Sequence, residues 1–284
     1  MKLAYLKPAP TLAEFFGDYY IFDAPCGGFQ PLCAELGNIR IVLNGGGRIL
    51  WRDGHATPFS PMTVVGPTMS AYGIDADRDA RAVGVGLTPR GWDALFGFSA
   101  ERLRDQATDF GACVAAPLRR LADDCRERLL AAATDGNIAA CLDEFFMRAL
   151  APRRDRLRPF PVAIEDWLLS SDIAGIDCLV AELGVSRRQT DRLAKYYFGA
   201  SPKALQRKYR TLHALNRLTI APRGAIHWAD ACGERFYDQS HFIREFKQFV
   251  GATPSEYLAD SAALMARSIQ LRARATHKPA RPSA

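Results

Sequence analysis

The chain has 284 residues, 48% of them hydrophobic and 24% charged, with a formal net charge of +6, which is enough material for two modest cores. It contains no run of 18 or more apolar residues, and Lys2 and Lys7 break up the first segment, so the sequence argues against a membrane span and a signal peptide and predicts a cytoplasmic protein. The seven cysteines (Cys26, Cys33, Cys113, Cys125, Cys141, Cys178 and Cys232) are odd in number, scattered and without a Cys-x-x-Cys pair, which suggests neither a disulfide framework nor a zinc site.

Residues 1 to about 110 read as mainly β. Ile39–Leu43 and Arg48–Arg52 flank Asn44-Gly45-Gly46-Gly47 as the arms of a hairpin would, and Met62–Val65 and Arg81–Leu87 supply further short strands between Gly and Pro turns. Many short strands predict a barrel or jelly roll. A metal-dependent barrel enzyme needs several converging ligands, yet His55 is the single histidine of the first 160 residues, and one imidazole is more often a surface or hydrogen-bonded residue than a ligand. No Gly-x-Ser-x-Gly elbow, phosphate loop or His-Glu-x-x-His helix occurs, so the expectation is a domain that is not an enzyme and holds no metal or cofactor. Trp51, Phe59, Tyr72 and Trp92 are candidates to line a pocket for an uncharged small molecule, the alternative being that they are ordinary core.

Two amphipathic helices follow, over Pro117–Ala133 with Leu118, Leu121, Cys125 and Leu129 on one stripe, and over Asn137–Leu150 with Ile138, Leu142, Phe145, Phe146 and Leu150 on the other. They fit either a dimer interface or a hairpin packed on its own domain. Residues 151–161 then hold three prolines and four arginines, a linker composition. This divides the chain into a domain at 1–150, a linker at 151–161 and a helical domain at 162–262, with a basic, Ala/Pro-rich tail at 271–284 expected to be disordered.

The helical domain carries one pattern twice, 52 residues apart. Ser186-Arg-Arg-Gln-Thr-Asp-Arg192-Leu-Ala-Lys195-Tyr-Tyr-Phe198-Gly199-Ala200-Ser201-Pro202 overlies Asp238-Gln-Ser-His-Phe-Ile-Arg244-Glu-Phe-Lys247-Gln-Phe-Val250-Gly251-Ala252-Thr253-Pro254 without a gap. Each copy begins with an N-cap residue, places Arg seventh and Lys tenth, and stops at a glycine suited to a left-handed C-cap, with a proline ready to start the next helix. Phe242, Phe246 and Phe249 give the second copy an apolar face, while Gln239, Ser240, His241 and Arg244 lie opposite it. Upstream of each copy is a short helical segment and turn, Asp177–Gly184 and Ala225–Arg235, so the order in both units (about 173–199 and 225–251) is helix-turn-helix. Between them Leu205, Tyr209, Leu212, Leu215 and Leu218 repeat at helical spacing, predicting a rigid helix over Lys203–Leu218. Charge agrees with a nucleic-acid partner. Residues 160–284 hold 18 Lys+Arg against 12 Asp+Glu, leaving 19 of each in the first 159, so the entire excess lies in the helical half.

On Ser-x-Arg-x-x-x-Arg from Ser186, Gly-x-Ser-Pro at 199–202, and Phe236-Tyr-Asp-Gln-Ser-His-Phe242 running into Phe246, Gly251 and Pro254, residues 160–260 resemble the DNA-binding domain of the AraC/XylS family of bacterial transcription regulators. The resemblance implies an α+β multidomain protein. A cupin-like or jelly-roll sensor or dimerisation domain would precede two helix-turn-helix units that meet successive major-groove segments of double-stranded DNA, roughly 34 Å apart. It also implies a homodimer, with a small-molecule effector and RNA polymerase as candidate further partners. Arg187, Arg188, Gln189, Arg192 and Lys195 of the first copy, and Gln239, Ser240, His241, Arg244 and Lys247 of the second, are the candidate DNA contacts. Arg192 and Arg244 stand identically in both copies and fit a backbone clamp as well as a base reader. The sequence departs from the family at several places. Thr190 and Ala194 stand for larger apolar residues, so the first unit must borrow packing from Leu193, Tyr197 or Phe198. Arg235, after Glu234, replaces a turn glycine. Asp191 either accepts from a cytosine amino group or pairs with Arg187 or Arg188. Two other functions stay open at this level, a DNA-targeted enzyme and a cysteine-based redox sensor.

Overall fold

The computed structural model describes residues 2–132, 134–151, 160–170, 173–220 and 238–259. Within the first of these stretches lie two antiparallel sheets. One has the order β1-β2-β9-β4-β7-β10, formed by β1 (Lys2–Leu6), β2 (Phe16–Ala24), β4 (Asn38–Asn44), β7 (Met62–Val65), β9 (Ala80–Leu87) and β10 (Ala107–Asp109). The other has the order β3-β8-β5-β6, formed by β3 (Gly28–Leu32), β5 (Gly47–Leu50), β6 (Ala56–Pro58) and β8 (Tyr72–Ala76). Successive side chains leave a strand on opposite faces. Thus Ile21, Ile39, Ile41, Val83 and Val85 on one face of the six-stranded sheet enter the main core, whereas Phe22, Ala24 and Ala80 face the second sheet and meet Ala76, Leu32 and Ile74. The register Ile39↔Val85 and Ile41↔Val83 stacks the β-branched pairs across the centre of the sheet. The expected barrel or jelly roll is thus seen as two facing antiparallel sheets, of six and four strands, around a shared interior.

The hairpin expected about Asn44–Gly47 does not form. β4 pairs with β7 and β9 in the larger sheet, while β5 pairs with β6 and β8 in the smaller one, so the glycine run is a crossover between sheets. Gly47 has φ +142°, and a Cβ there would lie 2.4 Å from the Asp75 carbonyl oxygen, so the backbone passes β8 too closely for a side chain.

Helix α1 (Pro89–Phe96) follows β9, capped by Thr88 at one end and by Gly97 in the left-handed conformation at the other. After α2 (Phe110–Cys113) come α3 (Ala116–Leu130) and α4 (Asp135–Leu150), within two or three residues of the predicted bounds. Their apolar stripes close over the larger sheet: Cys125, Leu129, Ile138, Leu142, Phe145, Phe146 and Leu150 share one core with Ile39 and Val85. The hairpin packs on its own domain, and those side chains do not form a free dimer face.

The C-terminal part is helical: α5 (Phe160–Leu169), α6 (Ile176–Leu183), α7 (Arg187–Phe198), α8 (Pro202–Ile220), α9 (Gln239–Val250) and α10 (Pro254–Ala259). No helix among the described residues is long and apolar enough to cross a membrane. Linker residues 152–159, the first helix and turn of the second unit with Arg235, Cys232 and the tail at 271–284 lie outside the described residues.

The two halves meet at a seam built on α8. Lys208, 1% exposed, donates from Nζ to the backbone carbonyls of Glu35 (2.6 Å) and Thr68 (2.9 Å). Cys33 packs with Leu212, Leu215 and Phe246, and Leu36 packs with Leu205 and Tyr209. Burial pushes the Lys208 pKa down from 10.5 to about 8, against the opposing pull of Cys33, Glu35 and Asp105. Between about pH 8 and 10.5 the folded chain therefore holds fewer protons than the unfolded one, and the cost of burying this charge is relieved as pH rises through that window. The stability difference between the wild type and Lys208→Met, followed by urea unfolding, should move in favour of the wild type from pH 8 to pH 10. A difference independent of pH would show that the buried group does not titrate this way.

Candidate nucleic-acid interface

The first recognition helix is shaped by its ends. α6 stops at Gly184 in the left-handed conformation (φ +63°), and α7 starts at Ser186, whose side chain accepts from the Gln189 backbone N–H while the Gln189 side chain returns to the Ser186 N–H, a capping box. Gly199 (φ +80°) ends α7, and Pro202 opens α8. The inner face holds Thr190, Ala194, Tyr197 and Phe198, all buried; the Thr190 hydroxyl donates back to the Ser186 carbonyl at 3.2 Å, and the missing apolar volume is supplied by Tyr197, Phe198 and half-buried Leu193, joined by Leu36 of the β domain. Arg187, Arg188, Gln189 and Arg192 are exposed on the outer face. Asp191 pairs with neither Arg187 nor Arg188 but with Lys195, at 2.8 Å across one helical turn, while Arg187 Nη1 lies 3.5 Å from Asp177. Lys195 is thus half-buried, and its pKa is raised by that hydrogen bond and by the charge of Asp191.

The second recognition helix repeats the plan. Asp238 accepts from the His241 N–H, and Gly251 (φ +92°) ends α9. Phe242, Phe246 and Phe249 are 0–1% exposed, a face worth about 1.5–3 kcal/mol per ring in burial. Gln239, Ser240, Arg244 and Lys247 are exposed, but His241 is half-buried, with Nε2 3.2 Å from Glu245. Glu245, 2% exposed, also pairs with Arg207 of α8, so a carboxylate invisible to the motif anchors the recognition helix to the linking helix. The signal for it was the i, i+4 spacing of His241 and Glu245.

Both recognition helices present their C-terminal carbonyls to the β domain. The Ala34 N–H donates to the Phe249 carbonyl (2.7 Å) and the Ala71 N–H to the Gln248 carbonyl (2.8 Å), while the Gln248 side chain donates back to the Met69 carbonyl (3.1 Å). On α7, Ser99 Oγ and Arg104 Nη1 reach the Lys195 and Gly199 carbonyls, and the Tyr196 hydroxyl donates to Asp93 at 2.8 Å. The Gln248 and Phe249 carbonyls lie in the last turn, where a helix leaves carbonyls without an intrahelical donor, and the β domain supplies donors to them, as it does to Gly199; the Lys195 carbonyl accepts from the Gly199 N–H as well as from Ser99. The opposite, N-terminal ends carry the exposed polar residues.

Behind the seam the β domain holds a cavity of about 110 Å³ between the two sheets, open to solvent on one side. Leu3, Phe22, Leu32, Phe59 and Ile74 give it an apolar wall, and Arg40, Glu35 and Asn38 stand at its polar end. Of the four predicted pocket aromatics, Phe59 lines this cavity. Trp51 lines a surface hollow with His55, Tyr72 is buried with its hydroxyl donating to Glu35, and Trp92 packs in the main core with its indole N–H on the Phe98 carbonyl. His55 is exposed and lies against Asp53 and the Trp51 ring. Of the cysteines, Cys26 and Cys178 are exposed; Cys125 and Cys141 are buried with sulfurs 3.8 Å apart, and burial raises the Cys125 thiol pKa and pushes that of Cys113 up to about 11, which disfavours reactive thiolates at both.

Residues 179–260 match the family model described as a helix-turn-helix domain. A comparison with curated proteins finds no match. Among solved structures the chain is similar to ToxT from Vibrio cholerae (10% identity, TM-score 0.48, covering 86% of this chain and 98% of that one) and to unsaturated fatty acid-bound ToxT from the same organism (11%, 0.46, 89% and 96%). It is also similar to the AraC-like transcriptional activator CuxR (14%, 0.26, 76% and 86%). The domain match agrees with the doubled capped helix of α7 and α9: residues 179–260 are a helix-turn-helix domain.

Proposed function

We propose that the chain reads two successive major-groove segments through α7 and α9, and that the β domain, residues 1–150, governs this reading through a small molecule held between its sheets. The observation that carries the proposal is the matched presentation of the two helices: each is held to the β domain by its C-terminal carbonyls and exposes Arg and Gln near its N-terminal end. Arg188, Gln189 and Arg192 on α7, and Gln239, Ser240 and Arg244 on α9, are then the base and phosphate contacts. Arg187, Lys195, His241 and Lys247 support them; Lys195 and His241, tied to Asp191 and Glu245, serve better as positioned phosphate donors than as readers. The helical domain at 162–262 follows a linker at 151–161. A homodimer would place two such pairs on one operator, and RNA polymerase is the partner through which such a regulator acts.

Selection of bound fragments from random duplex DNA should recover two blocks about one helical turn apart, roughly 34 Å. The Arg188→Ala, Arg244→Ala double variant should lose or relax both. Recovery of a single block, or no enrichment at any salt concentration, would contradict two-site reading.

Arg244→Ala, measured on a panel of operator variants, separates the roles of that side chain. A bidentate guanine contact predicts a loss of about 1–3 kcal/mol confined to one base step, whereas a phosphate clamp predicts an equal loss on every sequence and a smaller salt dependence.

A further inference from the structure

Arg40 lies in the wall of the cavity between the sheets, 5% exposed. Its Nη2 donates to Glu35 at 2.9 Å and to the Tyr72 hydroxyl, and its Nε donates to the Tyr20 hydroxyl at 3.1 Å. Its Nη1 is buried and has no hydrogen-bond partner among the described residues. A buried guanidinium N–H left without an acceptor is destabilising, so the site is short of one oxygen. The charge around it is already balanced. Glu35 neutralises Arg40, and burial raises the pKa of both Tyr20 and Tyr72, keeping them neutral. A carboxylate entering beside Arg40 would shed its water next to Glu35, which already neutralises that cation, and the other cation of the lining, Arg81, is paired with Asp23 at 3.4 Å, whereas a neutral carbonyl would take the free N–H at little desolvation cost. Leu3, Phe22, Leu32, Phe59 and Ile74 form an apolar stretch of the wall that suits hydrocarbon, with Gln30, Asn44 and Arg81 as its further polar residues.

We propose that the cavity binds a neutral, mostly apolar molecule through a carbonyl oxygen that accepts from Arg40 Nη1. This rests on the reading of the β domain as a small-molecule sensor and names the class of molecule sensed. Glu35 links the site to the seam, because its side chain holds Arg40 while its own backbone carbonyl accepts from Lys208.

The test uses the full chain at neutral pH, with 2-nonanone and nonanoate as probes in titration calorimetry. The ketone should bind the wild type about tenfold more tightly than the carboxylate, the scale of one hydrogen bond to a charged donor. Arg40→Lys keeps a charge for Glu35 but withdraws the planar Nη1, and should weaken the ketone about tenfold while leaving nonanoate nearly unchanged. Ala82→Phe, which fills the cavity from β9 without touching the polar network, should abolish both. Nonanoate binding as tightly as the ketone, ketone binding indifferent to Ala82→Phe, or absence of ketone binding to the wild type would each overturn the proposal. Should Arg40→Lys fail to fold, the wild-type preference and Ala82→Phe decide. Operator affinity with and without 2-nonanone keeps the two readings apart. A bound ketone that leaves DNA affinity unchanged contradicts the sensor reading alone, and a preference for the carboxylate contradicts the ligand class alone.

Discussion

A buried amine holds this molecule together. Lys208 has left water on the strength of two backbone carbonyls, those of Glu35 and Thr68, and such a group stays buried only where the geometry supplying those acceptors is kept. Glu35 and Thr68 belong to loops at the ends of the β domain, and Lys208 to α8, the helix that lies in sequence between α7 and α9. The amine therefore fixes the β domain against α8. From α8 the constraint runs to α9 through the Arg207–Glu245 pair, and from the β domain it runs to both recognition helices through their C-terminal carbonyls.

This arrangement divides each recognition helix between two tasks. The C-terminal turn is spent on packing and on carbonyls capped by another domain, while the N-terminal turns stay polar and open. A ligand between the sheets need not touch DNA or either helix to matter. It has only to change how Glu35 sits, since that residue joins the cavity wall to the carbonyl that receives Lys208. Coupling of this kind requires two arrangements of one contiguous network, with the ligand favouring one of them.

Much of the helical half was legible in the sequence because its signals are local. Caps, the glycines at 199 and 251, and the phenylalanine face of α9 are set by neighbours a few residues away. The β half was less so. The Gly45–Gly47 run reads as a hairpin turn, and only the close passage against Asp75 makes it a crossover between sheets. β2 was missed because Phe16–Ala24 does not alternate cleanly, both of its faces being covered. Lys208 had a faint signal: it sits three residues after Leu205 and four before Leu212, on the apolar stripe of α8, where a lysine is either exposed by an error of phase or buried for a reason. Arg40 had the same signal, standing between Ile39 and Ile41 in a strand that is covered on both sides. Long-range partners such as Glu35 for Arg40, or Thr68 for Lys208, have no trace in a single sequence.

The most direct measurement of the clamp is amide hydrogen exchange at Ala34 and Ala71, the two loop N–H groups that donate to the Phe249 and Gln248 carbonyls. In the wild type both should exchange as slowly as amides within the sheets, and in Lys208→Met both should accelerate together while the centre of β9 stays protected. Exchange at the rate of a free loop in the wild type, or no response to the loss of Lys208, would contradict the claim that this one buried amine holds the β domain to α7 and α9.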